Sequence, residues 1–331
     1  MSTINEVARL SGSSVATVSR VINSSGPVAP ETKKRILDAI ETLGYNPNEA
    51  ARNLRTNKSN IIIVILQSIT NTFFSKVIRG IEETGRKHGY NVVLCPTGGN
   101  EESERTYLKM IDSRQADGVI FMDSSLRAKE LREFGKTHAA VFCSEYVSDT
   151  NIPYVSIDNA GAAYEMTKYL LSLGHKNIAL VSERTTTSAM LREKGYKKAL
   201  REAGFNPYIY YGNYSFNSGY DAAKEIISSG NDITAVFAIS DIMALGVCRA
   251  FEDAGIDVPE KTVVSGFDNI FFSRVFKPEL TTVAQPRYQL GENAMLTLID
   301  SIKHRNKNIS NIIMEHTLIK RSSTERRNNN D

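Results

Sequence analysis

Residues 3–23 read Thr-Ile-Asn-Glu-Val-Ala-Arg-Leu-Ser-Gly-Ser-Ser-Val-Ala-Thr-Val-Ser-Arg-Val-Ile-Asn, and this stretch decides the fold of the first part of the chain. Thr3 and Glu6 stand at capping-box spacing, in which each side chain satisfies the other residue's free amide. Val7, Ala8 and Leu10 then form the apolar face of a short helix, and Ser11-Gly12-Ser13 stops it. Ser14 caps a second helix, Val15 to Asn23, with Val18, Val21 and Ile22 at core spacing. Two short helices joined by a tight turn containing Gly are a helix-turn-helix unit, whose second helix fits a DNA major groove.

Downstream, Ser24-Ser25-Gly26-Pro27 is a loop, and a third helix runs from about Pro30 to Leu43. Pro30 suits the first turn, where its missing amide hydrogen costs nothing. Ile36, Leu37, Ile40 and Leu43 make the expected buried stripe, and Gly44 closes the helix. Asn48 to Arg55 is a second short helical string, and Thr56 to Asn60 is a polar break. From Ile61 the pattern alternates between strand and helix. Strand-like runs are Ile61–Leu66, Asn91–Cys95, Gly118–Met122, Ala139–Cys143, Ile178–Ser182, Tyr208–Tyr211, Ala235–Ile239 and Val263–Phe267. Alternation of this kind predicts parallel sheets covered by helices on both faces. The expected organisation is a DNA-binding domain over 1–46, a hinge and linker over 47–60, and a two-lobed α/β body over 61–320. The first lobe takes about 61–159 and 291–320, the second about 160–290. A polar, frayed tail follows over 321–331.

The chain has 331 residues, 41% of them hydrophobic, enough for sizeable cores and too many for a disordered chain. No apolar run is long enough to cross a bilayer, and no basic segment leads into an apolar stretch at the start, so a cytoplasmic protein away from membranes is expected. Three Cys, at 95, 143 and 248, form no close pair and argue against a disulfide framework. Residues 1–60 carry eight basic and five acidic side chains, whereas 61–302 are net negative by four. A basic head on an acidic body favours a polyanion at the head. Ser14, Thr17 and Ser19 place small hydroxyls where they suit phosphates, and Arg20 reaches a guanine edge or a phosphate.

Longer strings carry a resemblance. They are Thr3-Ile4-x-Glu6-Val7-Ala8, Ser14-x-x-Thr17-Val18-Ser19-Arg20-Val21-Ile22-Asn23, and Leu43-Gly44-Tyr45-x-Pro47-Asn48-x-x-Ala51-Arg52-x-Leu54. In the body they are Phe73-Phe74, Arg79-Gly80-Ile81, Ala116-Asp117-Gly118, Ile157-Asp158-Asn159, Leu173-Gly174-His175, Ser240-Asp241-x-Met243-Ala244-Leu245-Gly246, Gly266-Phe267-Asp268-Asn269, and Leu280 to Pro286. With these strings the chain resembles the LacI/GalR family of bacterial repressors over all but its extreme C-terminus. Val15-Ala16 looks like the catabolite-control branch, and Ala284 to Tyr288 and Cys143 to Tyr146 are similar to purine- and cytidine-responsive members.

The resemblance implies a helix-turn-helix domain followed by a type I periplasmic-binding-protein-like effector domain with parallel sheets. Val15 and Ala16 would set operator preference and Arg20 would read a base. Thr3, Ser14, Thr17, Ser19, Asn23 and Tyr45 would hold phosphates. Asn48, Ala51 and Leu54 would lie on a hinge helix in the minor groove, Leu54 as the wedge. Eight or nine residues are too few for a stable isolated helix, so that hinge would form only on DNA beside its dimer mate. In the body, Phe73, Phe74, Ser124, Ser188, Arg192, Tyr214, Ser240, Asp268 and Gln285 would line an effector cleft. Asp241 reads as a helix cap. The implied partners are palindromic double-stranded operator DNA, a second copy of the chain, and a small-molecule effector, a sugar or alternatively a nucleoside or nucleobase.

Three departures stand out. Ser13 replaces the usual Val of the turn, Thr72 replaces the Pro before Phe73, and neutral Ser144, followed by Glu145, stands where relatives carry an acid. Two further readings compete: a pleiotropic regulator acting with a phosphorylated carrier protein, and a sugar-binding protein with no DNA role. Enzyme motifs are missing: there is no G-x-S-x-G, no G-x-x-x-x-G-K-[ST] and no G-x-G-x-x-G. His88, His138, His175, His304 and His316 are scattered, so no catalytic or metal-binding residues and no cofactor are expected.

Overall fold

Helices of seven and nine residues do not persist alone in water, so the head needs a third helix to exist at all. The computed structural model describes residues 2–23, 25–46, 58–304 and 309–325. The chain divides into two compact units, with the boundary between Ser59 and Asn60. The first holds α1 (Ile4–Leu10), α2 (Val15–Asn23) and α3 (Pro30–Leu43). The capping box forms: the Thr3 amide donates to Glu6 Oε2 at 2.7 Å, and the Glu6 amide donates to Thr3 Oγ1. Ser14 Oγ accepts the Thr17 amide at 3.1 Å, and Gly44 (φ 55°) ends α3 in the left-handed region.

Val7, Ala8, Val18, Val21, Ile36 and Ala39 form the head's core. Each fully buried Val or Ile contributes about 1.5–3 kcal/mol. Two expected core residues do not belong to it: Leu10 is 54% exposed and Leu37 is 48% exposed. The buried stripes run through 7 and 8 on α1, on to Ser11 at its C-cap, and through 36 and 39 on α3, which leaves both leucines on the flank. Asn48, Ala51 and Leu54 lie outside the described residues.

The second unit contains two six-stranded sheets of the same order. The first comprises β1 (Ile61–Leu66), β2 (Asn91–Pro96), β3 (Gly118–Phe121), β4 (Ala140–Cys143), β5 (Tyr154–Ile157) and β11 (Ile312–Met314). Its order is β11-β5-β4-β3-β1-β2, all parallel. The second comprises β6 (Ile178–Ser182), β7 (Tyr208–Tyr211), β8 (Ala235–Ala238), β9 (Val263–Asp268), β10 (Thr281–Ala284) and β12 (Thr317–Ile319). Its order is β12-β10-β9-β8-β6-β7, parallel except for antiparallel β10–β12. Central strands are buried along their length, as sheets covered on both faces require.

Helices α4 (Phe74–Lys87), α5 (Glu101–Asp112), α6 (Ala128–Thr137) and α11 (Arg287–Lys303) cover the first sheet. Helices α7 (Asn159–Ser172), α8 (Thr187–Ala203), α9 (Phe216–Ser228) and α10 (Asp241–Asp253) cover the second.

The structure corrects the sequence reading at the C-terminal end. The stretch 291–320 does not stay in the first lobe. Glu315 and His316 carry the chain from β11 in one sheet to β12 in the other, where Leu318 pairs with Val283. Nor does the tail fray at residue 321. Arg321 donates to Leu280 O at 2.7 Å and Asn269 Oδ1 at 2.8 Å, and buried Ser323 donates to Val264 O at 2.6 Å. These polar side chains are spent on backbone and loop acceptors of the second lobe, which explains why a polar segment docks.

Three helix pairs approach to backbone contact. A Cβ on Gly80 would meet the Tyr288 carbonyl, and one on Gly291 the Val77 carbonyl, across α4 and α11. Gly195 faces the Ala160 carbonyl across α7 and α8, while Gly219 and Gly246 face Met243 and Phe216 carbonyls across α9 and α10. Backbone cannot swing aside as a side chain can. Gly219→Ala is therefore expected to destabilise the body by about 1–3 kcal/mol through overpacking, read as a lower urea midpoint. An unchanged midpoint would show that the pair can separate freely.

Candidate ligand cleft and nucleic-acid face

Each sheet reverses its strand order at one point, with β1 between β2 and β3 and β6 between β7 and β8. Side chains beyond the carboxyl ends of such strands border a crevice where ligands bind. A cleft holding about 740 Å³ of space, open to solvent, lies there between the two lobes. The first lobe supplies Gln67 after β1, Met122 and Asp123 after β3, and Ser144 and Glu145 after β4. The second supplies Thr186, Ser188 and Arg192 around the start of α8, Tyr214 after β7, Ser240 after β8, and Asp268 at the end of β9. Gln285 comes from the crossover into α11, and Asn71, Thr72, Phe73 and Phe74 close one side.

The sequence-derived cleft residues thus come together, with one exception. Ser124 turns away: its Oγ donates to the buried Glu104 carboxylate at 2.6 Å, and the Ser125 amide donates to the same carboxylate at 2.8 Å. A carboxylate deep in α5 outcompetes the cleft for that hydroxyl. Asp241 is not the helix cap either. Ser240 Oγ accepts the Met243 amide, while fully buried Asp241 accepts the Ile270 amide at 2.8 Å and Thr282 Oγ1 at 2.6 Å. Phe73 is buried and Phe74 half-buried, their rings edge to face at 5.4 Å.

Sequence reasoning missed Asp123 and gave Glu145 only a passing place beside Ser144. Glu145 reaches across the cleft and accepts the Ser188 amide at 3.0 Å and the Ser188 hydroxyl. It is the one lining carboxylate bonded to the opposite lobe at that end. The signal was there in the acidic residue one position beyond the family's usual one. Only the backbone at Ser144 (φ 72°) shows why the shift is allowed: a left-handed residue re-aims its neighbour.

Arg192 is committed within the second lobe. Its Nε donates to Asn159 Oδ1 at 2.9 Å, Nη1 donates to Ile239 O at 2.6 Å, and the guanidinium lies 3.7 Å over the Phe267 ring. Asp268 Oδ1 stands 4.0 Å from Nη1 and accepts Gln285 Nε2 at 2.7 Å. Asp268 (φ 111°) and Asn269 (φ 51°) make a turn that side chains rarely adopt, at a cost of about 1–3 kcal/mol each. Donors from outside the turn hold it: Arg287 Nη2 to Asn269 O at 2.7 Å and Arg321 Nη2 to Asn269 Oδ1 at 2.8 Å.

Burial sets the electrostatics. It pushes the Glu145 carboxyl up to about 7, against lowering by its bonds from Ser188. It pushes Asp268 up to about 6, with Arg192 opposing, and raises Asp123 as well. Tyr214, whose hydroxyl lies 3.2 Å from Thr186 Oγ1, is pushed up to about 12 by the same cause.

On the head, Thr3, Ser14, Val15, Ala16 and Arg20 are exposed, and Thr17, Ser19, Asn23 and Tyr45 are half-buried. Asn23 Nδ2 donates to Ser19 O at 2.7 Å, and Ser14 Oγ lies 2.8 Å from Thr17 Oγ1. The exposed α2 face therefore presents two small apolar side chains, hydroxyls and one guanidinium. Ser13 is half-buried and bonds back to the Ser11 carbonyl, so its hydroxyl is satisfied where the family carries Val.

A carboxyl that titrates higher folded than unfolded binds its proton more readily in the native state. Its stabilising effect is complete below the ordinary carboxylate range and is lost as pH rises through the folded value. For Glu145 that window runs from 4.5 to about 7. Thermal melts are expected to fall across it, and Glu145→Gln to flatten the fall by a few degrees. Parallel melting curves for both proteins would contradict the buried charge.

Comparison with known proteins agrees with this geometry. Residues 3–48 match the family described as bacterial regulatory proteins, lacI family, and residues 59–322 match periplasmic binding proteins and sugar binding domain of LacI family. The chain is 37% identical to catabolite control protein A of Priestia megaterium, over 98% of this chain and 99% of that protein. It is 35% identical to the HTH-type transcriptional repressor CytR of Escherichia coli (strain K12), over 97% of this chain and 96% of that one. A crystal structure of the lac repressor dimer bound to operator and the anti-inducer ONPF superposes with a TM-score of 0.89 at 26% identity, covering 98% of this chain and 99% of that one. A head with an exposed recognition face and a body with a two-lobed cleft, each matched over its own span, make this chain a member of the lacI family of bacterial regulatory proteins.

Proposed function

We propose that this chain is a DNA-binding transcriptional repressor whose hold on a palindromic operator is set by a small molecule bound between the lobes. The observation that carries the reading is the coexistence, in one chain, of the exposed Val15-Ala16-Arg20 face and a cleft lined by both lobes. Arg20 reads a base edge, Val15 and Ala16 touch apolar base atoms, and the surrounding hydroxyls grip phosphates. Asn48, Ala51 and Leu54 serve the hinge. The matched sugar binding domain favours a polyhydroxy effector. Arg192, Asp268 and Gln285 are suited to vicinal hydroxyls, with Phe73, Phe74 and Tyr214 as apolar walls. Closure of the lobes then changes operator affinity, and a coupling of about 1–3 kcal/mol suffices for roughly 5–150-fold control.

The protein acts in the cytoplasm, where its DNA lies, and catalyses no reaction. Among the described residues no helix is long and apolar enough to cross a membrane. A homodimer matches the two halves of a palindrome. An apolar cluster supports it: Phe271 and Phe276 are 63% and 51% exposed, with Phe272 between them at ring separations of 5.8 and 6.0 Å.

Two experiments test this. Selection of genomic fragments by the purified protein is expected to enrich a palindrome. Arg20→Ala is expected to weaken that site by about 1–3 kcal/mol while leaving salt-sensitive non-specific binding in place. Equal loss on every DNA would reduce Arg20 to a phosphate contact, and no enriched sequence would remove the repressor reading. Sedimentation is expected to give a dimer that Phe272→Asp shifts toward monomer. A dimer unmoved by that change would place the interface elsewhere.

A further inference from the structure

Three carboxylates line the cleft, Asp123, Glu145 and Asp268, against one guanidinium, Arg192. That guanidinium is held in the second lobe by Asn159 and the Ile239 carbonyl, with Asp268 4.0 Å away. Toward the first lobe, Asp123 and Glu145 face the space with no basic side chain among the lining residues. Asp123 accepts the amide of its own neighbour, Ser124, at 2.8 Å, and Glu145 is met by neutral donors of Tyr146 and Ser188. Each of these carboxylates is disfavoured by another: Asp123 raises Glu145, and Glu183 raises Asp123. Buried charge left without a counter-charge is costly.

We propose that the effector is a small organic cation, a hydroxylated amine whose protonated nitrogen sits between Asp123 and Glu145. This rests on the reading of the cleft as the effector site and narrows it. The hydroxyls face Arg192, Asp268 and Gln285, while Phe73, Phe74 and Tyr214 line the same space with rings of the kind that attract cations. A bare metal ion does not fit: among the described residues no group of three His, Cys, Asp or Glu side chains could hold one. The negative charge is spread over the breadth of an organic molecule. A phosphorylated sugar would add its charge to a surplus of the same sign.

The test uses the full-length protein and an aqueous small-molecule extract of bacterial cells, split on a cation exchanger into a retained basic fraction and an unretained neutral and acidic fraction. Each is scored by the rise in melting temperature of wild type and of Asp123→Asn, whose own melting curve reports that it folds. The basic fraction is expected to raise the wild-type midpoint by a few degrees and to leave Asp123→Asn unmoved. A shift confined to the unretained fraction would overturn the cation while leaving the effector cleft standing. A basic-fraction shift that Asp123→Asn keeps would overturn it too, by placing the bound cation elsewhere. No shift with either fraction would remove the effector reading and the cation with it.

Discussion

Everything in the body depends on helices that lie against one another at backbone distance. Where Gly219 meets the Met243 carbonyl and Gly246 meets that of Phe216, the helix axes have one permitted separation. The same holds for Gly80 with Gly291 across α4 and α11. Of these helices, α4, α9 and α10 are crossovers between parallel strands of one sheet and α11 leads from the second sheet into the first, so their spacing constrains where the strands they join can lie. The strand ends then fall in line, and the loops leaving them converge on one crevice. Asp123, Glu145, Tyr214 and Asp268 are far apart in sequence, and only that alignment brings them within reach of one small molecule.

The price is visible at the cleft itself. Ser144, Tyr214, Asp268 and Asn269 all have positive φ, and the carboxylates beside them are pushed above their ordinary range by burial. Neither feature helps the fold. The surrounding structure tolerates them because Gln285, Arg287 and Arg321 tie the Asp268–Asn269 turn from outside. Strain and buried charge concentrated in one place, and held there by side chains from outside the turn, mark the region organised for binding.

Local signals carried most of this into the sequence. The capping box of Thr3 and Glu6, the Ser14 cap and the Gly44 stop each act within a few residues, and α1 to α3 begin and end where those signals stand. The longer strands were legible because their apolar runs are continuous. Tyr154–Ile157, Thr281–Ala284, Ile312–Met314 and Thr317–Ile319 were not, being three residues long or carrying hydroxyl side chains, and defined by their pairing partners. The cleft shows the same limit. Motif positions located Arg192, Asp268 and Gln285, but the competition between Glu104 and the cleft for Ser124 is a tertiary fact. So is the reach of Glu145 to Ser188.

The two-residue link at Glu315 and His316 has a further consequence. Consecutive strands on either side of it edge different sheets, and α11 enters the first lobe from β10 of the second, which β12 completes only later in the chain. Neither lobe is therefore a continuous piece of the gene. A single recombination point cannot exchange one lobe for another without unpairing an edge in both. Diversity in what such a body binds must come from point changes around the crevice, as with an acidic residue moved one position from Ser144 to Glu145, while the head, contained within its first fifty-nine residues, can be traded whole.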